Sequence, residues 1–278
     1  MTKLFNCKNA SILVVADVRC NLFNSLDTTD VLKYSLGKIV EEIDDYCIVK
    51  LFDGRLIKLE KKYIVINLCD VMQEEIIYSI VNSDSAIYHI HGNSIPNVTG
   101  KKLYNNMKLN NKAFVPLMFN SAKKLFNAEN EFLKQNLTIK IYDTYRPYYI
   151  TRYLYNILLN LVDKYYDYLN GEVNNHKYDQ TDFLAAHTST HNYGIALDMT
   201  LVDLNTNKEL EMQTSMHDLS IYSVTDYNND YANILAKIMS DNGFIPLESE
   251  WWHFQDNDSK IDYMNFYISD DNKIIEYE

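Results

Sequence analysis

The stretch S-T-H-N-Y-G-I-A-L-D, residues 189 to 198, sets one imidazole and one carboxylate seven residues apart, with Gly194 between them. The chain has only 7 glycines in 278 residues, so a glycine here needs a local reason. After it, Ile195, Leu197, Met199 and Leu201 alternate with Ala196, Asp198 and Thr200. That is the period of a strand. The apolar face belongs to a core, so Asp198 projects from the other face, beside small residues. Glycine adopts positive φ at no steric cost. A tight turn at Gly194 would therefore fold His191 back toward Asp198. A polar turn entering a strand whose aspartate faces solvent accounts for this stretch equally well.

A second stretch, E-S-E-W-W-H-F (residues 248 to 254), places Glu250 and His253 beside both of the chain's tryptophans. A carboxylate among indoles is desolvated, which raises its pKa. A general base working near neutral pH needs that. A regular strand would send Glu250 and His253 to opposite faces, so a shared site requires a bulge or turn between them. An edge strand with core tryptophans and a capped histidine is the plainer alternative. His191, Asp198 and His253 together make two imidazoles and one carboxylate. Three protein ligands with an open fourth position is the catalytic zinc pattern, whereas structural zinc is closed by four. Zinc brings a bound water's pKa toward neutrality and polarises a carbonyl. Glu250 would take that water's proton and pass it to the leaving amine. In a third stretch, I-Y-D-T-Y-R-P-Y (residues 141 to 148), Arg146 precedes a proline, which biases it to extended backbone. Its guanidinium could stabilise an oxyanion. A surface arginine paired with Asp143 is the competing reading.

D-x-Y-R-P, then S-x-H-x-x-G-x-A-x-D, then E-W-W-H, in this order, resemble the M15 zinc peptidases, and within them the D-Ala-D-Ala dipeptidases of the VanX type. N-V-T-G-K-K-L-Y (residues 97 to 104) is similar to that subgroup's Asn-Phe-Thr-Gly segment. The likeness covers about residues 65 to 270. It implies one Zn2+ per chain on His191, Asp198 and His253, Glu250 as general base and Arg146 as transition-state stabiliser. It also implies that Ser189 helps hold the substrate's amino terminus, and a fold in which helices pack around a small antiparallel sheet bearing the metal. The expected substrate is D-Ala-D-Ala or a related cell-wall dipeptide. A D,D- or L,D-carboxypeptidase acting on peptidoglycan stem peptides is the alternative. One loop departs from the pattern. Where the dipeptidases have Met-Gly-x-x-Phe-Asp, with the aspartate binding the substrate ammonium, this chain reads M-Q-T-S-M-H-D over residues 212 to 218. His217 takes the aspartate's place, and a shift of one residue would restore Asp218. His187, His89, His91 and His176 are expected to be structural or exposed.

Around these motifs the elements are of two kinds. S-I-L-V-V-A-D-V-R, G-K-I-V-E-E-I, Y-C-I-V-K-L-F and R-L-I-K-L, between residues 10 and 66, read as short strands. Asp53-Gly54 marks a two-residue hairpin. This segment resembles a bacterial SH3-like domain through A-D-V-R, L-G-K-I-V and Y-C-I-V-K-L-F-D-G-R. Leu56-Ile57-Lys58 replaces the usual Gly-Tyr-Val. Such modules engage wall fragments in other hydrolases, so the resemblance implies peptidoglycan fragments as partners. The fold class expected is α+β: an all-β SH3-like barrel over residues 1 to 66, then the catalytic domain over residues 67 to 278. In that second part the spacing predicts a helix from Met118 through Leu133, a strand through Leu137, Ile139 and Ile141, a helix after Pro147 through Leu161, and a helix from Tyr227 through Met239 closed by Gly243.

A net charge of −12 excludes an ordinary nucleic-acid face and disfavours an anionic membrane. Tyr, at 23 copies, is abundant as a compositional habit. Cys7, Cys20, Cys47 and Cys69 form no Cys-x-x-Cys pair and read as free buried thiols in a reducing compartment. No run approaches the roughly 20 apolar residues of a membrane helix. The apolar run Ile12 to Ala16 is too short for a secretory signal. The expected compartment is the cytoplasm, or the periplasm or cell wall if a leader has been removed.

Overall fold

The computed structural model describes residues 3–78, 89–90, 93–94, 107–183, 185–225, 228–269 and 271–276. The segment Asn97 to Tyr104, which carried the fourth family likeness, and His91 lie outside the described residues.

The strands that organise the molecule are β1 (Ser11–Val14), β2 (Val18–Leu22), β3 (Thr28–Val31), β4 (Leu36–Ile43), β5 (Tyr46–Leu51), β6 (Leu56–Glu60), β7 (Ile64–Asn67), β8 (Ile77–Tyr78), β9 (Pro116–Met118), β10 (Leu137–Asp143), β11 (Ala196–Asp203), β12 (Ile245–Leu247) and β13 (Glu250–Gln255). Three helices matter: α1 (Phe119–Lys134), α2 (Tyr148–Leu159) and α3 (Asp230–Asp241). The α+β class is as expected.

The first sheet runs β9-β7-β1-β4-β5-β6-β2-β3. Its short strands match the predicted run, with S-I-L-V-V-A-D-V-R split into β1 and β2 around Ala16-Asp17. Among the described residues no ladder closes its edges β9 and β3 into a barrel. The expected hairpin at Asp53-Gly54 forms, with a three-residue loop rather than two. The Leu51 N–H donates to the Arg55 carbonyl, and the Gly54 N–H donates to the Leu51 carbonyl. Gly54 takes φ +96°, the positive-φ third position of such loops. β7 pairs with β1 on one side and with β9 on the other. Strand pairing thus crosses residues 62 to 68, where the domain boundary is expected, and one core continues from Ile12, Val14 and Ile66 to Phe119, Leu197 and Trp252.

The second sheet bears Asp198 and His253: β12-β13-β11-β10-β8, all antiparallel except the parallel β10–β8 edge. β11 lies between β10 and β13, so both of its backbone edges are paired, and it is buried along almost its whole length. α1 forms where helical spacing predicts it. It buries Phe119, Ala122, Leu125, Phe126 and Phe132, and packs on β10 and α3. α2 ends at Leu159, two residues short of Leu161. α3 starts at Asp230 because the Asn229 side chain accepts from the Tyr231 and Ala232 N–H groups. Gly243 lies just past its end at φ +84°. The four cysteines are free; Cys7 and Cys47 are buried, whereas Cys69 is exposed. Among the described residues no helix is long and apolar enough to cross a membrane.

Candidate metal centre

His191 sits in a short 3-10 turn, Thr190–Tyr193, fastened at both ends. Ser189 caps it: the Ser189 hydroxyl accepts from the His191 N–H, and the Ser189 N–H donates to Asn192 Oδ1. Gly194 ends it at φ +63°. A Cβ there would lie 2.6 Å from the flexible end of Met264, which would have to shift, and the positive φ itself calls for glycine. The turn is tied to the loop after β10. Asn192 Nδ2 donates to the Arg146 carbonyl at 2.7 Å, and the Arg146 N–H donates to the His191 carbonyl at 3.2 Å. His191 and Arg146 are therefore positioned by two backbone segments hydrogen-bonded to each other.

Asp198 stands in β11 directly opposite His253 in β13. Three donor atoms converge: His191 Nε2 is 3.2 Å from Asp198 Oδ1, His253 Nδ1 is 3.1 Å from the same oxygen, and the two nitrogens are 3.1 Å apart. Donors bound about 2.0–2.1 Å from a tetrahedral ion lie about 3.3–3.4 Å from one another. This nearly equilateral triangle thus fits a single small divalent cation with little adjustment. The ring nitrogens are assigned to match. His191 Nδ1 faces the Thr144 carbonyl, which accepts only, so the proton is on Nδ1 and the Nε2 lone pair points into the triangle. His253 Nε2 faces Gln255 Oε1 at 3.4 Å and the Thr190 hydroxyl at 3.2 Å, which leaves Nδ1 as its donor atom. Burial holds the His191 imidazole below its ordinary pKa, hence neutral. Burial would do the same to His253, but the Asp198 and Glu250 carboxylates outweigh it and raise that ring. Burial alone would raise Asp198; His191, His217 and His253 outweigh it and hold the carboxylate well below the usual range.

The far oxygen of Asp198 is held as well. His217 Nε2 lies 3.1 Å from Oδ2, and an Arg146 terminal nitrogen lies 3.5 Å from it. Arg146 is buried, and its Nε and the same terminal nitrogen both reach Asp143 Oδ2 at 3.0 Å. The pairing with Asp143 weighed from the sequence is therefore present, though buried and beside the metal triangle instead of at the surface.

Glu250 begins β13. Glu250 pairs with Leu247 and Phe254 with Pro246, so Trp251 to His253 bulge out of the ladder. This irregularity is what a shared site required of the two residues. The Glu250 Oε2 atom comes to 3.8 Å from His253 Nδ1. Burial pushes the Glu250 carboxyl up to about 8, against the lowering pull of the His253 ring. A cavity of about 230 Å³ opens here; Arg146, Ser189, His191, Asp198, Glu250 and His253 are among its lining residues. Asp198, Glu250 and the two imidazoles in its lining are buried.

The sequence-predicted residues divide clearly. His191, Asp198, His253, Glu250, Arg146 and Ser189 share this cavity. Asp218 is not among its described lining residues; its carbonyl accepts from the Ser223 hydroxyl. His217 is buried behind Asp198, away from the cavity. His176 and His187 are exposed, as expected. Sequence reasoning did not find His217, Thr144 or Gln255 as partners of the ligands. The M-Q-T-S-M-H-D loop drew notice, but its periodicity gives no direction for the imidazole.

Among the described residues His191, Asp198 and His253 form a group that could hold a metal ion. The model of peptidase family M15, described as D-ala-D-ala dipeptidase, matches residues 89–271. No curated protein matches the chain.

Proposed function

The chain belongs to peptidase family M15, and from that premise we propose that it is a zinc-dependent hydrolase of D-Ala-D-Ala or a closely related cell-wall dipeptide. The observation that carries this reading is the triangle of His191 Nε2, Asp198 Oδ1 and His253 Nδ1, with sides of 3.1–3.2 Å, facing the cavity that Glu250 and Arg146 share. A zinc ion bound there would acidify a water and polarise the scissile carbonyl.

The chain's own groups do the rest. Thr144, Thr190 and Gln255 hold both imidazoles in the ligating tautomer. Glu250 accepts a proton from the attacking water and returns it to the leaving amine. Burial raises its pKa toward the neutral range, and a bound cation would lower it again so that the carboxylate can take the proton. Arg146, anchored by Asp143, offers positive charge for the developing oxyanion. Ser189 lines the cavity where a substrate amino terminus would lie. Incubating the zinc-loaded protein with D-Ala-D-Ala tests the reading: free D-Ala should be released, and no release at full zinc occupancy overturns it.

One observation favours the carboxypeptidase alternative. Asp218, the carboxylate expected to meet a free substrate ammonium, is not among the described lining residues, and His217 turns to Asp198. A stem pentapeptide, whose reacting residue carries no free amine, would not need that carboxylate. A dipeptidase leaves the pentapeptide intact, whereas the carboxypeptidase trims it and spares the dipeptide.

A further inference from the structure

We propose that His217 is a positioning residue for the metal centre. It donates its Nε2–H to the Asp198 oxygen that faces away from the metal, and so holds the other oxygen in the ligand triangle. This rests on the zinc reading of the site.

The geometry of the two Asp198 oxygens carries the inference. Oδ1 lies 3.2 Å from His191 Nε2 and 3.1 Å from His253 Nδ1, whereas Oδ2 lies 3.1 Å from His217 Nε2. A carboxylate rotating about its terminal torsion has a broad energy well. Without an outer partner it could swing both oxygens toward the ion or turn away. Arg146 is the other donor to Oδ2, but at 3.5 Å, and it is engaged more closely by Asp143 at 3.0 Å. His217 is therefore the closer outer anchor of Oδ2.

The imidazole itself is firmly placed. Its backbone has φ +58°, a left-handed conformation uncommon for a residue other than glycine. The ring is fully buried, edge-on to Trp252 at 5.9 Å and to Tyr142 at 6.0 Å. Trp252 lies between Glu250 and His253 in β13, and Tyr142 is next to Asp143 in β10. The ring is thus packed against the two strands that carry the base, a ligand and the arginine's anchor. Outer partners of this kind commonly change metal affinity about 10–100-fold when removed.

The test compares the full-length protein with His217→Phe, which keeps a ring between Trp252 and Tyr142 without the donor, and with His217→Gln, whose side-chain amide can place an N–H near the same point. Zn2+ affinity is measured by chelator competition, and the Co2+-loaded proteins are compared by visible absorption. Urea melting of the metal-free proteins checks that each variant folds. His217→Phe should bind zinc about 10–100-fold more weakly and shift the Co2+ bands, and His217→Gln should recover most of the affinity and the wild-type spectrum. Wild-type affinity in a folded His217→Phe protein, or failure of folded His217→Gln to improve on it, overturns the proposal. Failure of the wild-type chain to bind zinc overturns the metal reading instead. If His217→Phe does not fold, His217→Gln decides: near-wild-type affinity and spectrum support the donor, and loss of both contradicts it.

Discussion

In the proposed mechanism Glu250 accepts a proton, yet burial pushes its carboxyl up to about 8. Beside a divalent cation that pKa falls, because the charged form gains a positive neighbour. Glu250→Gln keeps the shape and removes the base. Its turnover should drop about 10²–10⁴-fold while zinc content stays at the wild-type value, read by steady-state kinetics and metal analysis. Loss of zinc together with activity would point to a ligand role for Glu250. At this scale the sequence was informative, because His191, Asp198, Glu250 and His253 are of the types that bind metal or move protons, and E-W-W-H supplied the desolvating neighbours in the same stretch. His217 was not legible in this way. Its role depends on a positive φ and on Trp252 and Tyr142 from two other strands, none of which a local pattern reveals.

The elements bring these residues together through two local devices, the Gly194 turn and the bulge in β13. Gly194→Ala forces an L-residue into the left-handed region and sets a methyl group against the flexible end of Met264. The expected cost is about 1–2 kcal/mol, visible as a lower urea midpoint with unchanged slope. The same scale yields a pH prediction, at Glu129 on α1. Glu129 is fully buried, and burial raises its carboxyl from 4.5 to about 7. The Thr138 hydroxyl reaches both Glu129 Oε1 at 2.7 Å and the Glu75 carbonyl at 3.1 Å. One hydroxyl hydrogen serves one of them well, and a protonated Glu129 fills the gap by donating to the hydroxyl. The folded state therefore binds this proton more tightly than the unfolded chain does. Its stabilising contribution is fully present below pH 4.5 and is lost as pH rises through about 7. Glu129→Gln should flatten that fall and raise stability at pH 8, by at most about 3 kcal/mol, relative to its effect at pH 5. Equal effects at both pH values would contradict the assignment. Helix positions were legible from apolar spacing, whereas several turns were not read. Among the described residues ten of the thirteen non-glycine positive-φ positions are asparagine. A chain with few glycines uses asparagine where turns need that conformation, and the abundance of asparagine carries no marker of which copies do so.

Across the whole molecule, the first sheet and the segment that carries the metal-site residues proposed above are joined through β7. β7 pairs with β9, the Met118 N–H donates to the Gly194 carbonyl, and Val65 Cγ2 lies 3.7 Å from where a Gly194 Cβ would be. Deleting residues 1–66 would remove the strand that supports the His191 turn. The shortened chain should bind zinc more weakly and melt at lower temperature than the full chain, as calorimetry with and without zinc would show. A shortened chain matching the full one in both would favour an autonomous catalytic unit. The strands of residues 10 to 66 were legible one by one, but the β7–β9 pairing was not. It joins residues about fifty positions apart, and no local pattern records a pairing of that separation. In the proposed function His191, Asp198 and His253 hold one zinc ion, and the site cleaves a peptide bond between D-amino acids. The most direct measurement is D-Ala release from D-Ala-D-Ala by protein of known zinc content, before chelation, after it, and after zinc is restored. Wild-type protein should carry about one zinc per chain, with release lost on chelation and regained with the metal. A protein that holds its zinc and leaves the dipeptide and a stem pentapeptide intact would contradict it.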